Sequence, residues 1–379
     1  PTGRGSMRIA VDAMGGDRAP EEAVKGAVNA ATRLGVEVSL VGDRSALESC
    51  VAGCGSYDSK LISIVDASQV VGMDEPGATA VRRKRDASIC VATRLVKDGH
   101  ADAVVSAGNT GATLSAAMLY LRCIPGVERP GIASVFPTVD GRVLCLDLGA
   151  NVDCRPRQLV DFAVMGQVYS HRVLGVERPR VGLLNIGEEE CKGNEVTKEA
   201  YALLQHDPRF EFSGNCEGDE LFSGKFDVVV CDGFVGNVVL KTTEGAASLL
   251  FESVRREVLS SALSRLAGLL VRPLMRRVAK RLAYEEYGGA LLLGVNGVCV
   301  IGHGRSSAKA FESALSFAAS AVSQDIRGHI ERSLAAGGTA WSGAASRDGS
   351  DGRSSATADT RPEGRDSRRR PLHSTEGAD

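Results

Sequence analysis

Several short polar turns in this chain gather the side chains that transfer chemistry needs. The richest is Asn185-Ile-Gly-Glu-Glu-Glu-Cys-Lys-Gly-Asn-Glu195, where three acids precede Lys192 between glycine-bordered turns. A lysine so placed reaches a phosphate as a point charge. Asn185, Glu188 and Asn194 share its loop. Asp232-Gly-Phe-Val-Gly-Asn237 offers Asp232, Gly233 and Asn237 after an apolar run, with Lys241 one helical turn further on. Ser106-Ala-Gly-Asn-Thr-Gly111 presents Ser106, Asn109 and Thr110 as donors beside glycines, and Asp12-Ala-Met-Gly-Gly-Asp17 has Gly15 and Gly16 where a backbone must approach a ligand. His303, in Gly302-His-Gly-Arg-Ser-Ser307, is a group that donates or titrates. Each motif also has a bland reading: an Asn or Thr helix cap, a solvated charged loop, a structural histidine.

The runs feeding these turns are apolar, and helix-like segments follow them. A strand feeding a helix leaves backbone N–H groups at the helix start, which with the helix dipole favour anions. The turns at 12–17, 106–112, 184–188 and 232–237 are therefore expected to line one crevice for a phosphate-like ligand.

Strands are expected at 8–12, 37–41, 61–65, 102–106, 132–136, 142–147, 179–184, 226–230 and 290–301, and helices at 20–34, 78–98, 110–121, 156–174, 195–206 and 306–332. The strands read as continuous Val, Leu and Ile runs, as in sheets covered on both faces. Alternating strands and helices imply βαβ units, and the Pro/Asp/Gly turn between 132–136 and 142–147 implies one antiparallel pair. Residues 235–285 break the rhythm as one helical stretch bent at Gly268 and Pro273. The expected organisation is an added or loose start at 1–6, a catalytic domain at 7–332 with a protruding helical segment at about 245–285, and a disordered low-complexity tail at 333–379.

Net charge is −2 and apolar content 43%, so nothing global points to nucleic acid and a sizeable core is affordable. No apolar run suits a membrane span. The ten cysteines are scattered without Cys-x-x-Cys, which argues against metal and for a reducing cytosol. Cys154 and Cys191 lie beside polar turns and read as packed thiols. Residues 255–282 carry Arg or Lys at eight positions against one acid, Glu257, around exposed-looking Leu, Val and Met. That pattern fits a membrane headgroup region or a partner subunit.

Taken in order from Met7 to Ile330, the motifs resemble the PlsX family, the phosphate:acyl-acyl-carrier-protein acyltransferases. Met73-Asp-Glu-Pro76, Arg82-Arg-Lys-Arg85, Leu146-Asp-Leu-Gly-Ala-Asn-Val-Asp153 and Gly288-Gly-Ala-Leu-Leu-Leu-Gly294 extend the match. Leu291 stands where Pro is frequent, and the Arg/Ser-rich tail lies outside the pattern. The resemblance implies a three-layer α/β/α fold similar to the isocitrate dehydrogenase and phosphotransacetylase group, with a mixed, mostly parallel sheet, a protruding helical hairpin and a homodimer. It implies acyl transfer from an acyl-carrier protein thioester to inorganic phosphate, with no cofactor and no metal.

On that implication Lys192 neutralises phosphate and the developing oxyanion, while Asn237 and Asn194 hold phosphate or the thioester carbonyl. Gly15, Gly16, Ser106, Asn109 and Thr110 line the phosphate pocket. Asp12, Asp17, Asn151, Asn185, Glu188, Asp232, Gly233, Lys241 and His303 complete the substrate site. Phosphate is a ready nucleophile and a thiolate a good leaving group, so positioning and charge stabilisation suffice. Arg82, Arg83, Lys84 and Arg85 suit an acidic carrier protein or a solvated face. Expected partners are the carrier protein, phosphate, an anionic membrane and a downstream glycerol-3-phosphate acyltransferase. The location implied is cytoplasmic, with reversible attachment to the inner face of the cell membrane. Rival readings are an acyl-CoA phosphotransacetylase, an NAD-dependent dehydrogenase on the same fold, and a non-catalytic membrane scaffold.

Overall fold

Short apolar segments pair into one eleven-stranded sheet, of order β3-β2-β1-β4-β11-β10-β5-β6-β9-β7-β8. The strands are Arg8–Asp12 (β1), Glu37–Gly42 (β2), Ile62–Asp66 (β3), Ala103–Ser106 (β4), Gly131–Pro137 (β5), Arg142–Leu146 (β6), Arg180–Leu184 (β7), Glu211–Cys216 (β8), Val228–Val230 (β9), Ala290–Leu293 (β10) and Val298–Ile301 (β11). The structure, a computed structural model, describes residues 6–55, 57–282 and 289–336. The tail from residue 337 lies outside them, as do residues 1–5 and Gly288.

The helices are Glu21–Leu34 (α1), Arg44–Ala52 (α2), Gly77–Arg83 (α3), Ser88–Lys97 (α4), Thr110–Tyr120 (α5), Pro156–Leu174 (α6), Glu195–Gln205 (α7), Gly233–Leu259 (α8), Ala262–Leu282 (α9), Ala308–Ser323 (α10) and Ile326–Ala335 (α11). They cover both faces. Ile9 and Val11 of β1 pack into a core with α1, α2, α6, α7, α10 and α11, while Ala10 between them packs into a second core with α3, α4, α5 and Val239 and Leu240 of α8. The expected α/β/α layering with a mixed, mostly parallel sheet is therefore what forms. Neighbouring pairs are parallel except β5–β6, β5–β10 and β10–β11.

Those three antiparallel pairs have a consequence for the site. β1–β5 and β11 run one way, and β6–β10 run the other. The turns after β1, β4 and β11 thus leave one edge of the sheet, and the turns after β6, β7 and β9 leave the opposite edge. Six strand-to-strand steps separate β1 from β9. A twist of about 20–25° per step accumulates to roughly 120–150° over them, which swings the two edges round toward each other.

Several boundaries differ from the sequence expectation. The stretch 78–98 is two helices, because Lys84 breaks off to bond the Val70 carbonyl and the Glu75 carboxylate. The 290–301 run folds back as a hairpin, with Gly294 at φ +92°. The last helix breaks at Asp325, a left-handed residue that caps α11 through Gly328 N–H; α11 then continues to Ala335, past the expected boundary at 332. The long helical stretch breaks at Ser260–Ser261 rather than at Gly268, and Pro273 lies inside α9. Ser261 caps that second helix by accepting Ser264 N–H. β8 and α2 have no counterpart among the expected elements.

Candidate active site

The first group of turns converges at the ends of β1, β4 and β11. Asp12 is buried and its Oδ2 accepts the Ser106 hydroxyl at 2.7 Å. Ser106 Oγ in turn accepts Gly108 N–H at 3.1 Å. Burial pushes the Asp12 carboxyl above its ordinary value, against the hydrogen bonds from Ser88, Ser106 and the Met14 backbone. Gly15 has no room for a side chain: a Cβ there would lie 2.6 Å from Asp12 Oδ2 and 2.8 Å from Gly108 N. Asp17 N–H donates to the Gly304 carbonyl at 2.8 Å, which joins the turn after β1 to the turn bearing His303. Gly16, at φ +116°, permits that approach.

The second group gathers at the ends of β6, β7 and β9. Asp147 anchors it. Its Oδ1 accepts N–H groups of Ile132, Gly149 and Ala150, and its Oδ2 accepts the Asn151 backbone and side-chain amides at 2.7 and 2.9 Å. The start of α8 lies directly on this turn. A Cβ on Gly236 would overlap the Asp147 carbonyl oxygen, and one on Gly233 would lie 2.7 Å from the Asn151 carbonyl. Asn237 follows, exposed, with Gly149 beside its side chain.

Lys192 projects from the loop between β7 and α7, with a side chain 46% exposed and its Nζ 3.8 Å from Glu189 Oε2. A loose pair this exposed contributes little, so the ammonium is available to an anion. Lys241 bonds Glu244 at 2.8 Å, and Glu188 bonds Lys225 at 2.7 Å.

The two groups meet through α8. Lys241 stands eight residues after Gly233, about 12 Å along the axis at 1.5 Å per residue. There it bears on His303, whose pKa is lowered first by burial and next by the Lys241 charge, with Arg305 adding to it and Glu244 and Asp17 opposing. The four turns expected to line a single crevice thus leave opposite edges of the sheet as two clusters, linked by the Lys241 charge of α8 on His303.

The expected free N–H groups at the helix starts are also corrected. Asn109 accepts Ala112 N–H, Asn194 accepts Thr197 N–H, Asp232 accepts Val235 N–H and Ser307 accepts Ala310 N–H. Asn109 goes further: its Nδ2 donates to the carbonyls of Gly72, Met73 and Glu75. Asn151 donates to Pro130 O and Asp147, and Asn185 to Lys192 O and Asn215. These amides shape the turns. Ser106 and Asp12 are closed off from solvent, whereas Lys192, Asn237, Thr110 and Asp17 are exposed. Asn215, on the unforeseen β8, is the residue that sequence reasoning missed.

The thiols are mostly inert. Burial pushes Cys154 and Cys216 up to about 12. Cys191, read as packed, is exposed on the Lys192 loop. Among the described residues no group of three or more His, Cys, Asp and Glu is placed to hold a metal ion.

Comparison with known proteins gives the family of the chain. The family described as fatty acid synthesis protein matches residues 7–328. A protein of Heliobacterium modesticaldum named phosphate acyltransferase is 51% identical over 328 residues, covering 86% of this chain and 98% of its own. Its namesake in Geobacter sulfurreducens is 49% identical over 335 residues, covering 88% and 96%. The chain belongs to this family, the PlsX phosphate acyltransferases. A PlsX-family protein is an acyltransferase, so the dehydrogenase and scaffold readings fall away. The fold has solved relatives. A phosphotransacetylase from Streptococcus pyogenes superposes with a TM-score of 0.56 at 18% identity, over 84% of this chain and 94% of that one. EutD phosphotransacetylase from Staphylococcus aureus gives 0.53 at 18% identity, over 83% and 94%. At such identity the likeness establishes the PlsX fold and leaves its chemistry to the site.

Proposed function

We propose that this enzyme moves a fatty acyl group from an acyl-carrier protein thioester to inorganic phosphate. A phosphate oxygen attacks the thioester carbonyl carbon, a C–O bond forms, the C–S bond breaks, and the products are acyl phosphate and the free carrier thiol. The observation that carries the reading is the half-exposed, loosely paired Lys192, set on its shaped loop in a chain half identical to proteins named phosphate acyltransferase. Lys192 stabilises the charge on phosphate and on the tetrahedral oxygen, and Asn237, the fifth residue of α8, supplies an uncharged donor. The α8 dipole adds to it. Thr110, Asp17, Lys241 and His303 form the far wall. Asn194, Asn109, Asn151, Asn185 and Ser106 support the turns, with Gly15, Gly16 and Gly233 admitting their close approach.

The acyl phosphate would feed phospholipid synthesis through a glycerol-3-phosphate acyltransferase. No helix among the described residues is long and apolar enough to cross a membrane. The exposed Leu249, Leu250, Leu259, Leu266, Leu269, Leu270 and Leu274 of α8 and α9 favour reversible attachment to the anionic inner face of the cell membrane, a contact with a second copy, or both. Of the basic cluster, Lys84 is engaged with Glu75 and Val70, which leaves exposed Arg82, Arg83 and Arg85 for the acidic carrier.

The test is incubation of purified protein with acyl-acyl-carrier protein and phosphate, following free thiol and acyl phosphate. Phosphate-dependent release of both supports the proposal. A parallel run that turns over only acyl-CoA favours the phosphotransacetylase alternative and overturns the choice of donor.

A further inference from the structure

β8 departs from the regular pleat of β7. Val181 pairs with Phe212, but Leu183 pairs with Asn215, so β8 carries one extra residue. Gly214 sits at that bulge with φ +90°. The parity of the strand changes there. Phe212 packs in the core that holds Val181, Leu183 and α7, whereas Cys216 packs in the opposite core with Leu184. A regular strand would place residues 212 and 216 on the same face. The bulge thus turns Asn215 onto the face of Leu183, where the 185–194 loop folds back into α7. Bulges beside sites of chemistry re-aim side chains in this manner.

Asn215 is 3% exposed, and its amide is given wholly to that loop. Its nitrogen donates to the Glu189 carbonyl at 3.0 Å, and its oxygen accepts Asn185 Nδ2 at 3.1 Å. Asn185 Nδ2 also donates to the Lys192 carbonyl at 3.2 Å, and Asn185 Oδ1 accepts Ile186 N–H at 2.9 Å. Gly193, at φ +96°, closes over the same amide: a Cβ there would lie 2.5 Å from Asn185 Oδ1. The start, middle and end of the loop are fastened to two side-chain amides, and Lys192 projects from the end.

We propose that Asn215, aimed by the bulge at Gly214, is a positioning residue that sets Lys192 for acyl transfer. It touches no reacting atom and acts through Asn185 and the loop carbonyls. The inference rests on the reading of Lys192 given above. Transfer is sensitive to placement on the scale of an ångström, so loosening this loop costs rate more than fold.

The test compares Asn215→Ala, Lys192→Ala and the double variant in phosphate-dependent thiol release, together with their unfolding midpoints. Asn215→Ala lowers kcat/KM for phosphate by about ten- to a hundredfold, and lowers it by less than about twofold when Lys192 is already absent. A merely structural role would lower the midpoint without that dependence. Gly214→Ala gives a second route that keeps Asn215: a methyl there meets open space but a strained backbone, and it reproduces the loss should Asn215→Ala fail to fold. Equal losses from Asn215→Ala with and without Lys192 overturn the positioning role alone. Wild-type turnover in Lys192→Ala overturns the positioning role together with the reading beneath it. Folded Asn215→Ala or Gly214→Ala enzyme with wild-type kinetics also overturns it.

Discussion

The Lys241 ammonium on α8 bears on the imidazole of His303 on the turn after β11, although β9 and β11 end at opposite edges of the sheet. Burial first, and the Lys241 charge next, hold the imidazole below its ordinary pKa, which favours the neutral ring. Lys241→Met removes one cation and frees Glu244, which already pulls the other way. With burial and Arg305 still lowering it, the His303 pKa is then expected to rise toward its unperturbed value of about 6.5, read by NMR titration of the ring. An unchanged titration would mean that α8 and the His303 turn do not face each other.

Lys192→Ala is expected to keep the fold, since the side chain is half exposed, and to lose most acyl phosphate formation. Removal of a comparable oxyanion donor costs about a hundred- to a thousandfold in kcat. Near-wild-type thiol release from the purified variant would remove Lys192 from the mechanism.

Asn194 separates capping from ligand contact. As the cap of α7 it accepts Thr197 N–H at 2.9 Å. Serine caps a helix about as well as asparagine and adds no charge beside Lys192, whereas alanine costs about 1 kcal/mol. Asn194→Ser is expected to keep both unfolding midpoint and phosphate KM, and Asn194→Ala to lower the midpoint only. A large rise in phosphate KM for the serine variant would show that the asparagine amide touches the anion directly.

Asp161 of α6 gives a pH signature. Its buried Oδ1 lies 3.5 Å from Arg157 Nε without a hydrogen bond, and burial raises its pKa to about 6 against the charges of Arg157 and Arg209. The folded state then holds a proton that the unfolded state has released above about pH 4, so stability falls as pH rises from 4 through 6. The loss is on the order of 3 kcal/mol. Asp161→Asn should abolish that slope in urea unfolding between pH 4 and 7 and be the more stable protein at pH 7. A slope that persists would assign it to another group.

Leu269 and Leu270 are 63% and 80% exposed on α9. Replacing both with Glu is expected to abolish co-flotation with vesicles rich in anionic lipid and to leave thiol release in solution intact. Flotation equal to wild type would count against attachment through this helix.

Much of this architecture is legible in the sequence, for physical reasons. Strands covered on both faces read as unbroken apolar runs, so β1, β4, β6, β7 and β9 stand out, and the turns after them are marked by Gly, Asn and Asp. β8 hides because Ser213, Gly214 and Asn215 interrupt its apolar character at the bulge. The meaning of Asn215 depends on register with β7, which no local pattern carries. Capping explains the other shift in reading: Asn109, Asn194 and Asp232 look like ligand donors in a string of letters, and their oxygens turn inward only once the helices exist. Strand direction is legible only in part: the Pro/Asp/Gly turn marks the antiparallel β5–β6 pair, as expected, whereas no local pattern marks β5–β10, and all three antiparallel pairs decide which edge each turn leaves from.

The close seating of α8 on the Asp147 turn also bears on how this enzyme can change over generations. Positions 233 and 236 admit no side chain larger than hydrogen without displacing backbone. Phe234, Val235 and Val238, interleaved with them, face solvent beside Asn237. Variation at this end of the site is thereby channelled into three apolar positions that can be exchanged without moving the helix. A drift in donor preference among descendants of this chain would be written there first.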